Sequence, residues 1–216
     1  KSIIIGRGEV GRALYKILEP YHEVKIRDVE DTDNEKVDIL QIAFPFTEKF
    51  IIEVKKYQEL YRPEHTIIHS TVDIGISREC GAVHAPIRGQ HPYLEQGIKT
   101  FPMFLGGMSA SLVADYFRRA GIKVILLDKP EATELGKLLD TEYYKNCIEF
   151  TKRAKKLCDK FKVPFHESFT LFNQTYNLGY AQLGYPEYTR PVLQPIMTPI
   201  GGHCLVPNAR ILEKHE

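Results

Sequence analysis

"IIIGRGEVGRAL" (residues 3–14) places Gly6, Gly8 and Gly11 between a short apolar run and an amphipathic one. The isoleucines are β-branched and the run is short, which reads as a strand. Val10–Leu18 repeats apolar residues at helical spacing and reads as a helix. In a strand–turn–helix of this spacing each glycine has its own task. Gly6 permits the tight turn, Gly8 lets the backbone approach a pyrophosphate, and Gly11 lets the helix pack close to the strand. The anion then lies against the helix N-terminus, where unpaired N–H groups and the helix dipole favour it. The plainer alternative is a glycine-rich turn with no ligand. Asp28, at the end of the next strand-like run, stands where ribose hydroxyls are bound in this arrangement. That favours NAD, while Arg27 beside it and Arg7 in the turn leave NADP open.

Moving outward, the same grammar repeats. "EVKIR" (23–27), "VDILQIAF" (37–44), "TIIH" (66–69), "AVHA" (82–85), "FPMFLG" (101–106) and "KVILL" (123–127) read as further strands bounded by Gly, Pro or Asp. Helical patterns at Thr47–Tyr61 and Ser109–Ala120 lie between them. Alternating strands and helices predict an α/β, Rossmann-type doubly wound sheet, mainly parallel, over residues 1–129. From Pro130 the pattern changes. Leu135, Leu139, Tyr143, Cys147, Phe150, Ala154, Leu157 and Phe161 recur at spacings that predict one long amphipathic helix, ended by Val163-Pro164. Glu131 and Glu134 in its first turn and a basic second half suit the helix dipole. The basic run is either a solvated face or an anion site. A second helix is expected over Glu167–Leu178, so residues 130–216 form a small all-α domain built on the long helix.

The chain has 216 residues and a formal net charge of +1, which gives no global case for nucleic acid or membrane binding. No apolar run reaches the about 18 residues of a membrane span. The first residues do not read as a leader, because glycine and charge interrupt the isoleucines. Cys80, Cys147, Cys158 and Cys204 are scattered, with no metal-ligand spacing, so a reduced, cytoplasmic protein without a metal is expected.

Four stretches together resemble the nucleotide-sugar dehydrogenases (UDP-glucose and UDP-N-acetylhexosamine dehydrogenases) of the 6-phosphogluconate dehydrogenase-like superfamily. They are the glycine turn, "HSTVDIG" (69–75), "EATELGKLLDTEYYKNCIEF" (131–150) and "PIGGHCLVP" (199–207). Their order and separation match as well. Within the same superfamily, "HAPIRGQHPYLEQGIKTFPMFLGG" (84–107) resembles a segment of the β-hydroxyacid dehydrogenases. The resemblance implies a cofactor site at Gly6, Arg7, Gly8, Glu9, Val10, Gly11, Asp28, Phe44, Pro45, Ser70 and Thr71.

It also implies a chemistry. Such enzymes oxidise a primary alcohol to a carboxylate in two hydride transfers to NAD, with a cysteine holding the aldehyde as a thiohemiacetal and then a thioester. Cys204 takes that nucleophile role, Gly201 and Gly202 let backbone approach the substrate, and the role of His203 stays open. Lys137 matches the family's helix lysine, which orients the substrate oxygen; the alternative is a surface lysine. Thr71 matches a threonine near substrate and cofactor. His84, at a strand end, and Arg88 are expected beside the substrate, although a lone histidine is more often structural. Three sites depart from the family, the first being Ile87-Arg88, which stands where a glutamate is expected just after the Ala-Pro position. Thr141 stands where the family has Asn, and Asn208 stands where it has an Asp tied to hydrolysis. Because Asn cannot act as a general base, thioester hydrolysis would fall to another group such as His203, His91 or Glu167. The sequence ends 12 residues after Cys204, where the family has a further domain. That leaves a fragment, or a protein acting on something smaller. The resemblance implies a homodimer paired through the long helix. The expected partner is a small molecule, a sugar nucleotide among the candidates. The rival readings are a β-hydroxyacid dehydrogenase using Lys137 without covalent catalysis, and a catalytically degenerate dinucleotide-binding homologue.

Overall fold

The structure, a computed structural model, describes residues 1–28, 35–89, 92–198 and 205–215. The chain divides into two compact units, Lys1–Leu138 and Leu139–Glu216.

The first unit is built on strands β1 (Ser2–Ile5), β2 (Val24–Arg27), β3 (Ile39–Ile42), β4 (His65–Ile68), β5 (Val83–His84), β6 (Met103–Gly106) and β7 (Val124–Leu127). They form one sheet in the order β2-β1-β3-β4-β5-β6-β7. Every neighbouring pair is parallel except β5 and β6, which meet antiparallel at His84 and Gly106. The helices are α1 (Glu9–Leu18), α2 (Phe50–Tyr61), α3 (Ile76–Glu79), α4 (Leu94–Thr100) and α5 (Ala110–Arg119). The mainly parallel, doubly wound sheet is as the strand–helix alternation predicts. α3 and α4 carry no clear signal in the sequence, because four and seven residues are too few to show a helical period.

β1 and β3 are buried at every position, as strands covered on both faces must be. Alternate residues serve opposite cores. Ile4 packs with Leu14, Ile17, Leu18, Val113 and Phe117. Ile3 and Ile5 pack with Leu40, Phe50, Val54, Tyr57 and Tyr61. The sheet is thus held between α1 and α5 on one face and α2 on the other.

A further helix, α6 (Pro130–Phe161), begins in the first unit, where Thr133, Glu134 and Leu138 are buried, and continues into the second. The second unit adds a π-type turn (His166–Thr170) that runs straight into α7 (Leu171–Gln182), and α8 (Leu205–Leu212). The sequence did not announce α8. Pro207 masks it, yet lies in the first turn, where a missing N–H costs no intrahelical bond. Tyr176, Tyr180, Tyr185 and Tyr188 pack ring to ring, and the Asn177 side chain pairs in both directions with the Arg190 backbone at 2.9 Å. These contacts fold residues 185–190 back on α7. The apolar stripe of α6 is largely uncovered within the chain: Leu139 is 50% exposed, Phe150 and Leu157 51% and Phe161 69%. α7 has no buried residue. No described helix is long and apolar enough to cross a membrane.

The start of α1 rests on one close contact. A Cβ at Gly11 would lie 1.9 Å from the Gly6 carbonyl oxygen, whereas one at Gly8 would meet nothing within 4 Å. Gly11→Ala is therefore expected to cost about 1–3 kcal/mol in chemical denaturation. Gly8→Ala should cost less than about 1 kcal/mol.

Candidate active site

The strand order reverses direction between β1 and β3, so their carboxyl ends open a crevice, the usual ligand position in such sheets. Three loops meet there. Gly6 N–H donates to Arg27 O at 2.9 Å, Ala43 N–H to Ile5 O at 2.8 Å, and His69 N–H to Ile42 O at 2.9 Å. Gly6 has φ +112°, and a Cβ there would lie 2.8 Å from the Ala43 carbonyl. Only glycine satisfies both conditions. Gly8 is the α1 N-cap, has an ordinary φ of −67°, and is exposed. Neither strain nor crowding explains a glycine at that position. The backbone at the head of α1 is left open there.

The residues expected around a dinucleotide fall at this edge. Arg7 and Glu9 are exposed, Val10 is half-buried and Gly11 is buried. Asp28 is exposed, directly after β2, whose Arg27 is in register with Ile5 of β1. Phe44 is buried against Phe50, ring centroids 5.1 Å apart, which leaves Pro45 at the surface. Ser70 Oγ–H donates to Phe44 O at 2.5 Å, tying the loop after β4 to the loop after β3. Half-buried Thr71 follows in that loop. Hence the glycine turn, Phe44–Pro45 and Ser70–Thr71 line one edge. Their chemistry, an open helix N-terminus with a carboxylate one strand away, fits a dinucleotide.

His84 departs from its expected place. It was expected to face the substrate, but it is fully buried. Its Nε2 lies 3.1 Å from Ser70 O and its Nδ1 2.7 Å from Thr133 Oγ1. Burial holds its pKa down at about 3, so the ring is neutral. A neutral ring has one N–H, and the Ser70 carbonyl can only accept. Nε2–H therefore donates to Ser70, and Nδ1 shares the Thr133 hydroxyl with Pro130 O, 2.7 Å away on its other side. His84 joins β5, the Ser70 loop and the start of α6. It positions these elements and does not present itself to a ligand.

His69 is a second buried neutral ring, its pKa lowered to about 4 by burial. Its Nδ1 lies 2.8 Å from Ala85 O and its Nε2 3.0 Å from Gln41 Oε1. Gln41 continues to Tyr116 Oη at 3.2 Å, and Tyr116 to Ser2 Oγ at 2.6 Å. This chain of polar groups crosses the apolar core from β1 to the loop after β5. Sequence reasoning missed it, because each member looks like an isolated polar residue in an apolar run.

Lys137 is half-buried on α6, one turn past Thr133. Its ammonium is close enough to contribute to the lowered pKa of His84. Arg88 is half-buried, its guanidinium 5.1 Å from the Phe101 ring centre and 5.8 Å from that of Phe104. In the second unit, Asn208 of α8 is buried, and its Nδ2–H donates to Thr141 Oγ1 at 3.3 Å. Gly201, Gly202, His203 and Cys204, with His91, lie outside the described residues. Of the described cysteines, Cys80 and Cys158 are buried and Cys147 is half-buried. Burial pushes the Cys80 thiol up to about 11, which suits a core residue and not a nucleophile.

No family model and no curated protein matches the chain. Solved structures do share its fold. The UDP-D-ManNAc dehydrogenase of Pyrococcus horikoshii superposes with a TM-score of 0.76 at 15% identity, over 98% of this chain and 63% of its own. The 3-hydroxyisobutyrate dehydrogenase of Mycobacterium tuberculosis gives 0.76 at 14%, over 99% of this chain and 85% of its own. A conserved protein of unknown function, described as similar to 3-hydroxyacid dehydrogenases, gives 0.66 at 13%, over 99% and 95%. The fold is that of these dehydrogenases. The chain spans less than two thirds of the first two UDP-sugar enzymes it superposes on, 63% and 65% of their lengths.

The two histidines predict an acid dependence of stability. Unfolded, each takes up a proton below its ordinary value of 6.5; folded, His69 does so only near 4 and His84 only near 3. The native state is therefore favoured in full above pH 6.5 and loses stability as pH falls, by about 1.4 kcal/mol per pH unit for each ring. Urea denaturation between pH 6.5 and 4.5 should show this slope, and it should be shallower by one proton in His69→Gln.

Proposed function

We propose that this chain is an NAD(P)-dependent dehydrogenase acting on a primary alcohol of a sugar nucleotide or a related substrate. The observation that carries the reading is the glycine turn. Gly6 and Gly11 are forced by backbone contacts within 3 Å, whereas Gly8 is left open at the N-terminus of α1. The nicotinamide, when bound, would take the hydride from the alcohol carbon. The chain supplies the rest. Gly8 and the first-turn N–H groups hold the pyrophosphate, and Asp28 accepts from ribose hydroxyls, which favours NAD. Lys137 orients the substrate oxygen and offsets its developing negative charge. By its motif Cys204 is the nucleophile toward the aldehyde, and the three described cysteines, which form no disulfide, fit a reducing, cytoplasmic setting.

One observation favours a second reading. Asn208 is buried and bonded to Thr141, so position 208 offers neither a base nor a water-facing group. A two-electron alcohol oxidation relying on Lys137, as in the β-hydroxyacid dehydrogenases, needs no such base.

Gly8→Val tests the cofactor site. NADH fluorescence titration should show at least about tenfold weaker binding, with the denaturation midpoint little changed. Equal affinity in the two proteins contradicts the assignment. NADH production over a panel of nucleotide sugars and hydroxy acids separates the two readings. On the first, Cys204→Ala abolishes acid formation; on the second, it leaves turnover intact. On both, Lys137→Ala lowers kcat by about 10²-fold or more.

We also propose that a second copy of the chain covers the exposed α6 stripe. Leu139, Phe150, Leu157 and Phe161 of one helix are each half-exposed or more, and apolar surface of this kind marks interaction sites when it is contiguous. Light scattering should give a dimer for the native chain and a monomer for Phe150→Glu/Leu157→Glu. A monomeric native chain at micromolar concentration contradicts this.

A further inference from the structure

The start of α6 is fastened to the Ser70–Gly75 loop by two separate polar anchors. The first is Thr133–His84–Ser70, described above. The second is Glu134, whose side chain is fully buried. Its carboxylate spans two backbone donors, one at the end of the loop and one in α3: Gly75 N–H donates to Oε2 at 2.6 Å and Ser77 N–H to Oε1 at 2.8 Å. Gly75 adopts φ +94°, which turns its N–H and that of Ser77 toward one carboxylate. A third tie lies outside these, where Arg78 pairs with Glu131, Nη2–H donating to Oε2 at 2.7 Å. Gly106 makes room for the arrangement. A Cβ there would lie 2.7 Å from Thr133 Oγ1 and 2.9 Å from Lys129 O. The loop so held carries Thr71, and the helix turn so held leads directly into Lys137.

A buried carboxylate is costly unless hydrogen-bonded, and both oxygens of this one are engaged by main chain. Apolar packing would have fastened a helix to a sheet more simply. What the charged anchor adds is register: two directed bonds fix the rotation and height of the first turns of α6, which an apolar contact does not. Helix rotation decides where Lys137 points, because it lies three residues beyond Glu134.

We propose that Glu134 is a positioning residue that sets Lys137 against the Thr71 loop. The role in turnover rests on the dehydrogenase reading above; the placement of Lys137 does not. The decisive variant is Glu134→Gln, of the same shape but presenting an N–H to one of the two donors. Two readouts need no ligand. Hydrogen exchange over residues 70–78 should quicken by about tenfold or more, while residues 3–14 remain as in the native chain. The rate of Lys137 acetylation, followed by mass spectrometry, should change several-fold. Ile17→Val, a core change on α1, serves as the control for general loosening. In turnover, kcat should fall by about 10²-fold with KM for the dinucleotide unchanged. The proposal is overturned if exchange over 70–78 and Lys137 labelling match the native chain, or if they change only as they do in Ile17→Val. An unchanged kcat with normal NADH binding also overturns it and leaves the dehydrogenase reading standing. Local loosening with altered Lys137 labelling, in a chain that binds no NADH, upholds the positioning and removes that reading. If Glu134→Gln does not fold, Thr133→Val, which keeps the shape and removes the hydroxyl at His84, carries the same expectations.

Discussion

No side chain fits at residue 11, because its Cβ would lie 1.9 Å from the carbonyl oxygen of Gly6. That exclusion fixes how α1 leaves β1, and much of the first unit follows from it. α1 must run close against the strand, which buries Leu14, Ile17 and Leu18 on Ile4. The close approach also starts the helix immediately after the turn, so its first N–H groups stand at the carboxyl edge of the sheet. Gly6 turns the chain by resting on the Ala43 carbonyl of the neighbouring strand's loop. Of the three glycines in this turn, Gly8 is the one not forced by a backbone contact, which is why it carries the proposed cofactor reading.

Beyond this turn, the loops at the carboxyl edge are held by buried polar groups instead of apolar ones. Ser70 bonds to Phe44 O, His84 to Ser70 O, and Glu134 to Gly75 and Ser77. Loops in a parallel sheet expose backbone donors and acceptors that must be paired once helices cover them. Here the pairing is done by side chains from three different elements. Both buried histidines are kept neutral by the apolar surroundings that hold them. The result is a rigid edge on which Thr71 and Lys137 have fixed places in the first unit.

Much of the first unit was legible from local signals. Short apolar runs, most of them carrying β-branched residues, marked all seven strands, and the glycine spacing marked the turn. Four-residue α3 lacks the length to show a period, and Pro207 hid α8. The candidate site was legible where it rests on backbone geometry, as at the tight turn of Gly6 and the close helix–strand approach at Gly11. It was less so where function rests on side chains meeting across the fold. His84 looked like a cleft residue because it ends a strand; its burial follows from Thr133, 49 residues away. Glu134 looked like a first-turn acid suited to a helix dipole. Its partners lie 57 and 59 residues earlier, and nothing local announces them. The bond between Thr141 and Asn208 likewise spans 67 residues.

The central claim is that the open glycine at the head of α1 is a dinucleotide cradle. Crystals soaked in NAD test it most directly. Difference density should place a pyrophosphate against Gly8 and the first turn of α1, with ribose hydroxyls at Asp28 and the far end of the molecule reaching the Ser70–Thr71 loop. Density for NAD bound elsewhere, or none at a concentration that saturates the protein in solution, would contradict the account.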